Sequence, residues 1–258
     1  MSDHEKEYFN TPEYIAYLKR NCELIDRDTG NRDETFTSPH MDIIIKYTDQ
    51  LGIEPGRQML EIGCGLGRLV DYLGKHYGID ISGIDVSDET CKLAMERLSQ
   101  SSGEIKVGSA EKIPFPDSSF DYVLCWGVFD LTDQGYAIAE MLRVLKVGGK
   151  LLLTGKNNEF MPDDEDAQIA EIKSREKNIP NHYTDYNALK QLVESNGANL
   201  ALEHFFLRRG DFMAGRYVIN QPAQFQEYCV IVQKESIELP VINEISDSYS
   251  KTWRQKHG

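Results

Sequence analysis

The chain has 258 residues, 40% of them apolar and 27% charged, with a formal net charge of −14. That length supports one α/β domain with a sizeable core plus attachments, and so acidic a balance speaks against DNA, RNA and anionic membranes as partners, all of which call for basic surface. No apolar run approaches the roughly 18 residues of a membrane span, the charged start Met1-Ser2-Asp3-His4-Glu5-Lys6 leads into no apolar signal region, and the scattered Cys22, Cys64, Cys91, Cys125 and Cys229 lack the spacing of a zinc site or disulfide framework.

Thr11-Pro12-Glu13 predicts a helix over residues 8 to 22, with Thr11 as N-cap and Pro12 in the first helical position. Residues 26 to 37 are polar and read as a loop. Met41, Ile44, Ile45 and Leu51 recur at helical spacing over 39 to 51, and Gly52 stops that helix. After Pro55-Gly56 short apolar runs alternate with amphipathic stretches. Met59 to Ile62, Ile81 to Asp85, Ile105 to Val107, Asp121 to Trp126 and Lys150 to Thr154 read as strands, with helices over 66 to 76, 88 to 99 and 135 to 145. This alternation predicts an α/β fold with a mainly parallel sheet and helices on both faces.

Asn157 to Asn181 break the rhythm, with an acidic run Asp163-Asp164-Glu165-Asp166 and a helical stretch near 165 to 177. A segment of that length reads either as a cap or lid, or as a solvated surface insertion. Residues 185 to 196 return to helix, and 199 to 207 and 227 to 233 complete a set of seven strands. The tail from Glu235 has no strong period and is expected to wrap part of the surface. The expected division is an N-terminal helical arm or lid at 1–52, a sheet domain at 53–234 with a cap insertion at 157–182, and a C-terminal tail at 235–258.

The informative segment is Leu60-Glu61-Ile62-Gly63-Cys64-Gly65-Leu66-Gly67-Arg68, which ends a strand and opens a helix. Its glycines let the backbone turn sharply and approach a ligand with no Cβ in the way. The helix N-terminus behind them offers unpaired N–H groups to an electronegative atom. Dinucleotide enzymes use Gly-x-Gly-x-x-Gly, but here Arg68 takes the third position and the pattern is Glu-x-Gly-x-Gly-x-Gly. The Gly-Lys-Ser/Thr of a phosphate loop is absent.

This segment resembles the signature of class I S-adenosylmethionine-dependent methyltransferases. Asp85 ends the second strand 18 residues after Gly67 and is similar to the acid with which that family grips both ribose hydroxyls. Ser109-Ala110-Glu111 resembles the family's adenine-side segment. Ile113-Pro114-Phe115-Pro116 resembles the run before strand four, and Val147-Gly148-Gly149-Lys150 the turn into strand five. The resemblance covers residues 56 to 156, and 182 to 233 more loosely. It implies a Rossmann-like fold and S-adenosylmethionine as cofactor, held by Glu61, Gly63, Cys64, Gly65, Gly67, Asp85, Val86, Ala110, Glu111 and Trp126. Cys64 would act through its backbone. Asp85 also reads as a helix N-terminal acid, and Glu111 as a surface charge.

In that family the acceptor lies above the ends of strands four and five. The resemblance therefore implies Asp130 and His182 as catalytic candidates, and Tyr14, Phe129, Lys156, Tyr183 and Arg208 as acceptor contacts. Leu131 stands where many relatives carry a histidine, so that histidine's role as base is not carried over. His182 and Tyr183 also read as packing beneath the lid, with Thr184 as an N-cap. Arg208 suits a carboxylate or phosphate, or a solvated loop. The expected reaction is methyl transfer to an oxygen or nitrogen of a small acceptor such as a sugar, glycan precursor or secondary metabolite. A cytoplasmic monomer or homodimer with no metal is expected. Two other readings stay open: a non-catalytic S-adenosylmethionine-binding module, and an NAD(P)-dependent oxidoreductase or epimerase.

Overall fold

The computed structural model describes residues 8–19, 39–98, 103–176, 179 and 181–257. Strands form where apolar residues run with little interruption: β1 (Gln58–Ile62), β2 (Asp80–Asp85), β3 (Ile105–Val107), β4 (Phe120–Cys125), β5 (Leu145–Lys156), β6 (Tyr183–Thr184), β7 (Ala198–Phe206), β8 (Glu227–Lys234) and β9 (Ser246–Asp247). One seven-stranded sheet has the order β3-β2-β1-β4-β5-β8-β7. Its first five members pair in parallel, and β8 runs antiparallel to both β5 and β7. This is the Rossmann-like, mainly parallel sheet expected from the sequence.

Helices are α1 (Pro39–Asp49), α2 (Arg68–Tyr77), α3 (Asp88–Arg97), α4 (Gln134–Val144), α5 (Glu165–Glu176), α6 (Tyr186–Ser195) and α7 (Lys251–His257), with a further helical segment at 12–19. Successive strand residues point to opposite faces, and both faces here are apolar. Leu60, Val123, Leu151, Leu153 and Val230 join Ile138 and Met141 of α4 and Leu189 and Leu192 of α6 in one core. Met59, Leu124, Leu152 and Ile231 join Ile44 and Tyr47 of α1 and Leu69, Val70 and Leu73 of α2 in the other. Burying each such aliphatic side chain contributes about 1.5–3 kcal/mol. Cover on both faces is why the central strands read as continuous apolar runs rather than alternating ones.

Four local details differ from expectation. A turn at 10 and 11 interrupts the 8-to-22 helix after its helical residues 8 and 9, and the helix resumes at 12 under the expected Thr11 cap, whose hydroxyl accepts from the Tyr14 amide at 3.2 Å; residues 20–22, and the loop read at 26–37, lie outside the described residues. β5 starts at Leu145, and the register jumps from Phe120↔Leu145 to Tyr122↔Lys150. Gly148 and Gly149 therefore sit in a bulge rather than only ending a helix, Gly148 with φ 82°. The N-cap of α6 is Asp185, which accepts from the amides of Asn187 and Ala188 at 3.1 Å each. Thr184 instead shares a hydrogen bond of 2.8 Å with the Tyr228 hydroxyl.

The tail does more than wrap. β9 pairs antiparallel with β6, and α7 follows it. The Ser250 amide and hydroxyl donate to the buried Glu171 of α5 at 3.1 and 2.7 Å. Thr252 donates to the Phe160 carbonyl at 2.8 Å and accepts from its amide at 3.1 Å. The tail is thus clasped to the segment between β5 and β6. Among the described residues no helix is long and apolar enough to cross a membrane.

Candidate active site

Strand order reverses between β1 and β4, with β2 and β3 on one side and β5 on the other. Open α/β sheets bind ligands outside the carboxyl ends of their strands at such a point. The loops that meet there follow Ile62, Asp85, Cys125 and Lys156. In the first of them Gly63, Gly65 and Gly67 have φ of 69°, 52° and 72°, a left-handed conformation that strains any side chain. A Cβ on Gly63 would lie 2.5 Å from Val128, so the loop also packs against the one after β4. The Cys64 thiol packs against Gly83, whose ideal Cβ would come within 2.8 Å of it. The thiol thus fills space beneath the loop and donates to the Gly65 carbonyl at 4.0 Å.

Two acids frame this loop. Glu61 is 5% exposed, and among the described residues its Oε2 has no hydrogen-bond partner. Burial lifts its carboxyl pKa to about 8, against the pull of the Arg68 guanidinium. Asp85 accepts from the Gly65 amide at 3.0 Å through one oxygen, and from the Ser87 amide at 2.9 Å and the Thr90 hydroxyl at 3.0 Å through the other. Burial pushes its pKa up while these donors pull it down. The Val86 amide adds a further donor that favours the ionised form.

A first, largely apolar cavity opens beside these groups. It brings together Gly63, Asp85, Val86 and Ala110. Apolar walls, a glycine-lined edge and a carboxylate fit a nucleoside; Glu61, buried behind the loop, does not line this cavity. Tyr14, expected at the acceptor, lines this first cavity, because the segment at 12–19 lies over the glycine loop: Leu18 is the nearest contact of an ideal Cβ on Gly65, at 4.0 Å. Glu111 does not line it; its carboxylate accepts from the Asp133 amide at 2.8 Å, ahead of α4. Phe9, Val128, Leu131 and Thr132 line the cavity and were not foreseen.

A second cavity of about 230 Å³ is lined by Trp126, Gly127, Asp130, Lys156, Phe212 and Glu227, with Thr154, Gly155 and Tyr228 at its base. Trp126, expected on the cofactor, faces this cavity and packs on Phe212, ring centres 5.3 Å apart. Asp130 is buried and ion-paired with Lys156, whose ammonium also donates to Asn181 at 3.1 Å. His182 reaches Asp130 through its amide, which donates to the Asp130 carbonyl at 2.6 Å; its ring lines neither cavity. Phe129 is 0% exposed within the sheet core, because the 3-10 turn Phe129–Leu131 directs its ring inward; it is not an acceptor contact.

Two other expected acceptor contacts also lie elsewhere. Tyr183 packs with Phe160 and Ala167 and accepts from Asn181 at 2.9 Å, beside a more polar cavity beneath α5. Arg208 lines none of these cavities and pairs with Asp163 at 2.8 Å on the exposed surface. Phe212 and Glu227 escaped sequence reasoning. Their signals were faint: an aromatic residue inside a polar, glycine-containing connection, and one acid opening an apolar strand.

Residues 60–153 match the family model of a methyltransferase domain. Over 128 residues the chain is 34% identical to the uncharacterized methyltransferase YdaC of Bacillus subtilis (strain 168), covering 49% of this chain and 68% of that protein. Over 112 residues it is 35% identical to the ubiquinone/menaquinone biosynthesis C-methyltransferase UbiE of Shewanella halifaxensis (strain HAW-EB4), covering 41% and 45%. The fold resembles that of phosphoethanolamine N-methyltransferase 2 of Haemonchus contortus, solved with phosphomonomethylethanolamine and S-adenosylhomocysteine, with TM-score 0.67 at 15% identity over 90% of this chain and 60% of that one. Several of the curated relatives are much longer than the matched region, which spans 23% of one and 45% of another. S-adenosylmethionine is the cofactor of the matched family, and the reading as an NAD(P)-dependent oxidoreductase or epimerase falls away. The matched region runs from β1 to β5, the frame whose loops contribute to both cavities, and the chain belongs to the class I S-adenosylmethionine-dependent methyltransferases.

Proposed function

We propose that this chain catalyses methyl transfer from S-adenosylmethionine to an oxygen or nitrogen atom of a small acceptor held in the second cavity. One observation carries this reading: the two cavities adjoin across Gly127 and Val128, with Val128 lining the nucleoside side and Gly127 the acceptor side. When bound, the cofactor supplies an activated methyl group on a sulfonium with a good leaving group. The remaining task of the protein is to bind, orient and exclude water, and such positioning supplies as much as about 7–11 kcal/mol.

Asp85, on the wall of the first cavity, offers its carboxylate to the ribose, and Glu61, buried beside the glycine loop, supports that loop. The Asp130–Lys156 pair, steadied by Asn181 and the His182 amide, forms a fixed wall of the acceptor cavity. The segment carrying α5 serves as a lid over the Lys156 side, where it borders the polar cavity that Lys156 shares. At about 230 Å³ the second cavity holds the equivalent of about eight water molecules, which suits a compact acceptor or one end of a longer one. The relatives include both C- and N-methyltransferases, and the oxygen-or-nitrogen reading rests on Asp130, Lys156 and Glu227 in the lining of this cavity.

The test is calorimetric titration of the wild type and of Asp85→Ala with S-adenosylmethionine, followed by measurement of S-adenosylhomocysteine release over a panel of small alcohols and amines. Wild-type binding should weaken about 10- to 100-fold in the variant, and one acceptor class should support turnover. A well-folded wild type that binds no cofactor would overturn the proposal. Binding without turnover across the panel would favour the non-catalytic module.

A further inference from the structure

We infer that the second cavity is built to hold an organic ammonium, so that the acceptor is a small amine carried in as its cation, with Glu227 as counter-charge and Trp126 and Phe212 as an aromatic wall. This rests on the methyltransferase reading and narrows its acceptor atom to nitrogen.

The charges lining the cavity are uneven. Asp130, Lys156 and Glu227 face it. Asp130 and Lys156 neutralise each other, and Lys156 spends a further donor on Asn181. Among the described residues none forms a hydrogen bond or ion pair with the Glu227 carboxylate. Lys156 and Arg209 are near enough to lower its pKa, but burial outweighs them and, with Asp130 and Asp164, raises it. A desolvated carboxylate without a partner costs free energy that a cationic ligand restores.

The wall beside it is aromatic and rigidly backed. Trp126 and Phe212 lie 5.3 Å apart at 50°, and Tyr47 supports both, 6.1 Å from Trp126 and stacked 6.3 Å from Phe212. A cation within about 6 Å of such ring faces is attracted by their quadrupoles. The β5–β8 register sets Glu227 opposite Lys156, and both line the cavity with Trp126. A neutral acceptor would gain the apolar contact but leave Glu227 unpaired. Before an ammonium nitrogen can act as nucleophile it must lose a proton. Glu227 takes that proton, becoming a neutral carboxyl, and the electron pair of the broken N–H bond stays on nitrogen as the free lone pair.

The test uses the full chain saturated with S-adenosylhomocysteine and titrated calorimetrically with tetramethylammonium or with tert-butanol, a neutral probe of similar size. Tetramethylammonium should bind at least about tenfold more tightly. Glu227→Gln should abolish that preference, and Phe212→Leu should reduce it, while both variants keep the wild-type affinity for S-adenosylhomocysteine. Equal binding of the two probes, no binding of tetramethylammonium, or an undiminished preference in Glu227→Gln would overturn the inference and leave the methyltransferase reading standing. Should Glu227→Gln fail to fold, the wild-type comparison and Phe212→Leu decide. Failure of the wild type to bind S-adenosylhomocysteine at all would overturn both readings.

Discussion

Glu61 stands two residues before the first glycine of the loop, buried and, among the described residues, with one oxygen unpartnered. Burial lifts its pKa from 4.5 to about 8, so the folded state holds this proton more tightly than the unfolded chain does. The associated stability is present below pH 4.5 and is lost as pH rises through about 8. The stability of the wild type relative to Glu61→Gln should therefore fall over that interval in denaturant titrations at a series of pH values; a constant difference would place the carboxylate in a wetter setting. The glycine loop was legible because its backbone requirement is local, set by residues 63 to 67 alone. Glu227 was not, because its place in the cavity depends on Trp126, Lys156 and Phe212, which only the fold brings beside it.

At the scale of elements, α5 and α7 are held by a buried clasp. Glu171 is ion-paired with Arg175 one turn on and accepts twice from Ser250. The Arg175 guanidinium lies 3.2 Å from the centre of the Tyr249 ring. Glu171→Ala leaves these donors unsatisfied and should cost about 1–3 kcal/mol. Hydrogen exchange should accelerate in β9 and α7 well before β1 to β4; uniform acceleration would mean that the clasp is part of the central cooperative unit. The existence of α5 was legible from residues 165 to 177, but its partner was not. β9 is two residues long, and α7 carries no apolar stripe that would announce a docking helix. The Thr184 hydroxyl shows the same limit, since Thr184 and Asp185 are both good N-caps and Tyr228 decides which of them serves.

For the whole molecule the dominant long-range term is charge. A formal −14 with a pI near 4.9 implies self-repulsion at neutral pH. Raising ionic strength from about 0.01 to about 0.15 M shortens the screening length from about 30 to about 8 Å. Thermal unfolding should shift upward by about 2–4 °C for each ~1 kcal/mol so recovered. A flat or falling Tm would show that attractive pairs, such as Arg143 with Glu140 and Asp117, outweigh the repulsion.

The sequence by itself determined the class of fold, the strand succession from β1 to β5 and the glycine-loop signature with Glu61 and Asp85. These follow from local periodicity and from short-range backbone demands, which each segment carries within itself. The tertiary structure decided which side chains face which cavity. It sent Phe129 into the core, turned Glu111 toward Asp133, set Tyr14 in the first cavity and Trp126 in the second, and brought Phe212 and Glu227 beside Lys156. A side chain's direction at a loop is fixed by what packs beneath it, and those partners lie far away along the chain.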